Sequence, residues 1–279
     1  MNNNLYKVEK VNEHIFRIIG PTDEFSYVIN GKNSSLLIDT CCGVEGFKEI
    51  VDSIVLHPYE VVLTHGHVDH AGGCGAFRTN KIYLSSKDFS MAKIHMSKFV
   101  RKIYVSSSNK ILKVKKDISS YIYVDNSKVK FVSLNDNDVF DLGDIHVHTY
   151  ALPGHTKGMM TLLIEEDKLL LLGDSCNPST FLFFPEALKI SEYVKSLEAY
   201  IERTEGKYEH IILSHLPFTC DKYVCNQMVS LCKDILNGRK NEDKMRILFN
   251  NVKVAKKINP ETGFNNDMYS ANLFYKKVN

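Results

Sequence analysis

VVLTHGHVDHAGG, residues 61–73, places four ligand-type side chains within six positions: His65, His67, Asp69 and His70. The apolar VVLT before them reads as the end of a β-strand, and the glycines after them suit tight backbone turns. Neutral imidazole and carboxylate are the donors that a hydrolytic zinc or similar divalent ion takes. Two apart on an extended turn, His65 and His67 can both face one metal.

Three later segments follow the same grammar, an apolar strand ended by a ligand-type residue. YALPG leads into His155, LLLLG into Asp174 and IILS into His215. The carboxyl ends of strands in open α/β sheets converge on one crevice, so residues set there can meet around one ligand. His65, His67 and His155 then make a three-histidine set. Asp69, His70 and His215 make a second set, and Asp174 is placed to bridge the two. The cofactor expected is a pair of divalent metal ions, zinc first, with iron or manganese as alternatives.

Working outward, HIFRIIG (14–20), FSYVIN (25–30) and SLLIDT (35–40) read as successive strands, with Asn30-Gly31 as a hairpin turn. GFKEIVDSIVL (46–56) spaces Phe47, Ile50, Val51 and Ile54 as an amphipathic helix before the strand EVVLT (60–64). Strand–helix–strand alternation of this kind indicates a layered α/β fold. Residues of about 86–125 break the alternation with Lys, Ser and Tyr; they read as a solvated helix and hairpin, or as an inserted lid over a pocket. Strands resume with VKFVSL, IHVHTYAL, TLLIEE and KLLLLGD. Helices are expected at 191–204 and 221–237, and a last strand in ANLFYKKV. With no linker-like stretch, residues 1–279 read as a single domain.

Composition excludes several classes. The 279 residues are 44% hydrophobic, enough for a sizeable core, and Lys+Arg 35 against Asp+Glu 33 gives no global pull toward nucleic acid or anionic membranes. The 7 cysteines have no framework spacing and read as reduced thiols. The start lacks the apolar core of a signal peptide, and no apolar run is long enough to span a bilayer. A cytoplasmic protein acting on a small molecule, with no nucleic-acid or membrane partner, is the expectation; the oligomeric state stays open.

THGHVDHAGG, PGHTKG, GDS and the Ser-His pair at 214–215 together resemble the metallo-β-lactamase superfamily, in its usual chain order. The resemblance runs from SLLIDT to His215 and fills all seven metal-ligand positions. It implies a four-layer αββα sandwich with the metals on one edge. It also implies that Asp39, after SLLI, orients the ligands from behind, and that Thr156 and Gly158 shape the turn presenting His155.

Other residues read more plainly. His146 and His148 alternate on one strand and read as sheet-face histidines. His14, His57, His95 and His210 have no ligand-like neighbours in sequence. Cys176 reads as a packed thiol, because Asp174 already fills the ligand position. Lys98, Arg101, Lys102, Lys110, Lys113, Lys115 and Lys116 read as solvated surface, as do Arg239, Lys240, Lys244 and Arg246. Phe181 and Phe183 stand as weak substrate-binding residues, equally suited to a core.

The superfamily hosts several reactions, so the fold does not settle function. His67 replaces the carboxylate of the flavodiiron branch. Asp174, where the common zinc β-lactamases carry Cys, makes the chain similar to the glyoxalase II and lactonase branches. The expectation is a metal-dependent hydrolase of small esters, thioesters first and lactones second, with Asp69 guiding a proton. The alternatives are a mononuclear iron persulfide dioxygenase-like oxidoreductase and a metal-dependent phosphodiesterase or ribonuclease. SCNPSTFLFF lacks the arginine motif of the first, and the chain lacks the long cassette of the second.

Overall fold

The computed structural model describes residues 5–111, 120–247, 250–262, 264, 265 and 267–276. Its contacts divide the chain into two compact units, residues 1–147 and 148–279; the sequence, lacking a linker, reads as one domain.

In the first unit β1 (Lys7–Lys10), β2 (Ile15–Ile19), β3 (Phe25–Asn30) and β4 (Ser35–Ile38) form an antiparallel run. The expected turn at Asn30-Gly31 joins β3 to β4, with the Gly31 amide donating to Ser34 O at 3.0 Å. β5 (Tyr59–Val62), β6 (Ile82–Leu84) and β7 (Val132–Ser133) continue the sheet in parallel, giving the order β1-β2-β3-β4-β5-β6-β7. Parallel neighbours need crossovers, and helix α1 (Phe47–Ile54) supplies the one between β4 and β5. Every residue of β3 and β4 is buried, as expected of strands covered on both faces. Phe47 and Val51 of α1 fall on the buried side, and Phe47 meets Phe77 edge-on at 5.8 Å.

The stretch of about 86–125 contains α3 (Phe89–His95) and α4 (Lys98–Ile111), which follow the four-residue helix α2 (Val68–Ala71) in the chain. Lys113, Lys115 and Lys116 lie outside the described residues. Arg101 corrects the surface reading: it is 2% exposed. Its guanidinium donates to the carbonyls of Gly43 (3.1 Å), Gly72 (3.3 Å) and Val124 (2.9 Å), joining three loops, and lies over the Tyr123 ring. Its position on α4 puts it one helical turn before Val105, which packs with Cys42, Val44 and Tyr123.

β8 (Val139–Asp141) and β9 (His146–Ala151) form the hairpin on which the chain passes from the first unit to the second. In the second unit β10 (Met160–Ile164), β11 (Leu169–Leu171) and β13 (His210–Ile212) extend from β9. β12 (Thr180–Leu182) belongs to another sheet. Helices α5 (Ile190–Thr204) and α6 (Val224–Leu236) match the periodicity read from sequence, and their buried stripes share one core with Leu163, Leu170 and Leu172. Tyr193, Val194, Leu197 and Tyr200 come from α5; Met228, Leu231, Cys232 and Ile235 come from α6.

The hairpin β14 (Asp243–Ile247) and β15 (Asn250–Val254) was not expected from sequence, where Lys244 and Arg246 read only as surface charge. With β16 (Leu273–Tyr275) it completes a third, four-stranded sheet, order β12-β16-β15-β14. All seven cysteines are free thiols, and six of them are buried. No helix among the described residues is long and apolar enough to cross a membrane.

Replacing Arg101 with Met would leave three inward carbonyls without their charged donor. We expect Arg101→Met to cost about 3 kcal/mol, on the scale of buried hydrogen bonds to a charged group. A loss of unfolding free energy in urea titration of less than a third of that would show the guanidinium to be dispensable.

Candidate metal centre

β4, β5 and β6 run parallel and end on one edge, which fixes the first set of site residues. Ile38 lies opposite Val62 in the register, so Asp39 and Thr64 follow as neighbours. Asp39 adopts a left-handed backbone, φ 62°, that turns its side chain toward the β5 end. Its Oδ1 accepts the Thr64 amide at 2.8 Å; its Oδ2 accepts the Thr64 hydroxyl at 2.8 Å and lies 2.8 Å from His70 Nδ1. Thr64 Oγ1 in turn lies 3.1 Å from His65 Nδ1. The buried carboxylate thus orients His70 directly and His65 through the Thr64 hydroxyl, each ring held at Nδ1 with Nε2 directed to the other side.

His67 caps α2, and Asp69 and His70 lie on its single turn. Ligand atoms of His65 lie within 4.8 Å of those of His67 and of His70, and so do those of Asp69 and His70. His65 and His70 are fully buried and His67 is 6% exposed. Close packing holds the loop: a Cβ on Gly73 would stand 2.1 Å from the Thr40 carbonyl oxygen, so only glycine fits there.

Three neighbours escaped the sequence reading. Asp88, just past β6, accepts the Gly66 amide at 3.1 Å and steadies the turn between His65 and His67. Tyr104 of α4 donates its hydroxyl to Asp69 Oδ2 at 2.7 Å. Burial, reinforced by the Asp69 charge, pushes that phenol well above its ordinary range and keeps it a donor. His95, read as lacking ligand-like neighbours, stacks on His67 with ring centroids 5.0 Å apart and planes at 20°. A carboxylate or an aromatic some 20 to 40 residues from its partner leaves no local spacing to detect.

The second unit presents its own set by the same device. β11 and β13 are parallel, with Leu171 opposite Ile212, so Asp174 and His215 each follow three residues beyond the pair. His215 Nε2 lies 3.4 Å from Asp174 Oδ2, and His155 Nε2 lies 3.8 Å from the same oxygen. His155 sits on the turn between β9 and β10, where Gly154 N donates to Thr156 O at 2.9 Å. Its Nδ1 lies 2.8 Å from the carbonyl oxygen of Phe181, again leaving Nε2 as the outward nitrogen. Gly154 lies against Tyr193 of α5 so closely that a Cβ would stand 2.3 Å from the ring.

Of the remaining residues, His148 Nε2 pairs with Glu165 at 2.8 Å and His146 lies 3.8 Å from Asp141, so both face outward from the sheet. Cys176 is buried, with its Sγ 3.7 Å from the Val224 carbonyl, and burial beside Cys225 raises its thiol pKa. A cavity bounded by Ser35, Tyr59, Glu60, Tyr83 and Asp141 opens at the amino ends of β4 and β5. It presents hydroxyls and carboxylates but no imidazole, and lies away from the strand ends that carry the ligands.

Each unit therefore carries a His/Asp group with the chemistry of divalent metal ligation. The model of the metallo-β-lactamase superfamily matches residues 19–215, most of the chain and all of these strand ends. The chain belongs to the metallo-β-lactamase superfamily. The acyl-coenzyme A thioesterase MBLAC2 of Bos taurus is 23% identical over 202 residues, 68% of this chain and 71% of that protein. The lactamase-like protein nscB of Arthroderma gypseum is 20% identical over 254 residues, 85% of this chain and 70% of that protein. Solved structures share the fold. A metallo-β-lactamase from Pontibacter korlensis aligns with TM-score 0.57 and 18% identity over 81% of this chain and 97% of that one. The sec-alkylsulfatase Pisa1 from a Pseudomonas species aligns with TM-score 0.61 and 15% identity over 86% of this chain and 44% of that one. The chain is an enzyme of the metallo-hydrolase class with the metallo-β-lactamase fold.

Asp39→Asn keeps the size of the side chain but replaces one acceptor oxygen with a donor. Partners behind metal ligands typically contribute 10–100-fold to affinity, and a loss of about that size in zinc affinity is the expected outcome. Competition with a fluorescent chelator reads it; unchanged affinity would mean that Asp39 only braces the backbone.

Proposed function

We propose that this chain is a two-metal thioester hydrolase acting on acyl thioesters, with lactones as secondary substrates. The proposal rests on the donor set: five imidazoles and two carboxylates at strand ends, with Nδ1 of His65, His70 and His155 each beside an oxygen partner. In this reading His65, His67 and His155 hold one divalent ion and Asp69, His70 and His215 hold the other. Asp174 would serve as a ligand common to both groups, and zinc is the first expectation. When bound, such a pair polarises the scissile carbonyl and makes water acidic enough to attack at neutral pH.

The protein's own groups do the rest. Asp39 and the Phe181 carbonyl hold His70 and His155 by Nδ1 and fix the rings in orientation, so little reorganisation is left to the reaction. Asp69 takes and passes on the proton of the attacking water, held in place by the Tyr104 hydroxyl. Tyr104 is thereby the contribution of α4 to the site, while residues 112–119 of the expected 86–125 lid lie outside the described residues. The thioester class draws support from the relatives: besides MBLAC2, a 21% identical protein of a Cryptosporiopsis species is an atrochrysone carboxyl ACP thioesterase, aligned over 61% of this chain and 46% of that one.

The test is thiol release from acyl-coenzyme A and from S-lactoylglutathione by zinc-loaded protein, with the metal counted by mass spectrometry. Turnover of a thioester that falls by at least about a hundredfold in Asp69→Asn is the expected result. Absence of thiol release from a protein carrying two metals per chain would overturn the thioester assignment.

A further inference from the structure

We infer that Phe184 and Phe181 form the entrance of an apolar subsite for the acyl chain, so that the preferred substrates are acyl thioesters with a hydrocarbon tail. This inference rests on the thioester reading above and adds the class of acyl group. It begins with the way the segment after Asp174 is tied to the turn that carries His155. At one end, the Phe181 carbonyl oxygen lies 2.8 Å from His155 Nδ1. At the other, the Leu188 amide donates to the Gly154 carbonyl at 2.8 Å. Residues 181–188 therefore bracket the His155 turn, and any side chain exposed on them stays at a fixed distance from that imidazole.

Those side chains are aromatic. Phe184 meets His155 edge-on at 6.4 Å between ring centroids and continues to Phe183 at 4.3 Å and to Phe181 at 6.4 Å. Phe181 reaches Phe274 of β16 at 5.1 Å. An unbroken aromatic strip thus runs from a ligand imidazole into the four-stranded sheet. Its inner members are core: Phe183 is 4% exposed and Phe274 3%, and they pack with Val252 and Val254. Phe181 and Phe184 differ in being only half-buried at the edge of that cluster.

The Phe184 ring, left partly in water 6.4 Å from the His155 imidazole, costs hydrophobic free energy unless something covers it. A hydrocarbon chain covers it at the apolar end of a thioester while the carbonyl stays at the imidazole. A polar or charged acyl group would gain nothing from this wall. The unexpected β14–β15 hairpin also finds a purpose: Val252 and Val254 of β15 back the strip and keep it rigid. Sites of this kind are apolar, preformed and carry few polar groups.

The experiment uses zinc-loaded full-length protein and two readouts. The first is hydrolysis of acetyl-, hexanoyl- and dodecanoyl-coenzyme A by wild type, Phe184→Ala, Phe184→Leu and Phe181→Ala. The second is calorimetric binding of dodecanoate, the product acid, which needs no turnover. Expected are a KM that falls with chain length in wild type, and a rise of roughly tenfold in KM for the dodecanoyl substrate in Phe184→Ala. The rise should grow with acyl-chain length, Phe184→Leu should recover most of the loss, and dodecanoate binding should weaken in parallel. Equal effects at all chain lengths, or dodecanoate binding that Phe184→Ala and Phe181→Ala leave unchanged, would overturn the subsite even if thioesters are hydrolysed. Dodecanoate binding that depends on Phe184 in a protein inactive on every thioester would keep the subsite and reject the thioester reading.

Discussion

The carboxylate of Asp39 is the constraint on which the first half of the site depends. It lies at the end of β4, 1% exposed, and is satisfied by Thr64 at the end of β5 and by His70 on the single turn of α2. A buried carboxyl group with so little water is tolerable only when its oxygens are engaged. The requirement works in both directions: it fixes the register of the two strand ends, and it fixes which nitrogen of His70 faces outward. The left-handed backbone at Asp39 is part of the same arrangement, a local strain carried because it aims the carboxylate.

In the second unit a main-chain group takes the corresponding role. A main-chain carbonyl, that of Phe181, holds His155, while parallel β11 and β13 set Asp174 and His215 in step. A carbonyl cannot be lost by side-chain substitution, so the orientation of His155 depends on the fold of residues 181–188 and on their packing. The aromatic strip, the close approach of Gly154 to Tyr193 and the core under α5 are therefore linked to the chemistry through one hydrogen bond.

Much of this was legible in the sequence because it is local. H-x-H-x-D-H is a pattern in six residues, and each remaining ligand follows an apolar run that ends in glycine, proline or serine. Strand β3 falls on the residues read for it, 25–30, and α5 within one residue, because alternation and helical periodicity are strong there. What stayed hidden depends on partners distant in sequence. Arg101 looked like one more surface cation in a Lys-rich stretch, since nothing in the sequence places the Gly43, Gly72 and Val124 carbonyls around it. Tyr104, Asp88 and His95 reach the ligand loop by tertiary packing alone. β14 and β15 carry charged residues on their exposed face, and only Val252 and Val254 mark the buried side, too few to separate a strand from a loop.

The central claim is that histidine nitrogens and carboxylate oxygens, with no thiolate, hold the metal. X-ray absorption at the zinc edge of the loaded protein tests it directly. The account predicts nitrogen and oxygen scatterers at about 2.0–2.1 Å with the outer-shell features of imidazole. A sulfur scatterer at about 2.3 Å would contradict it, because it would bring a cysteine such as Cys176 into the coordination sphere and displace the role assigned to Asp174.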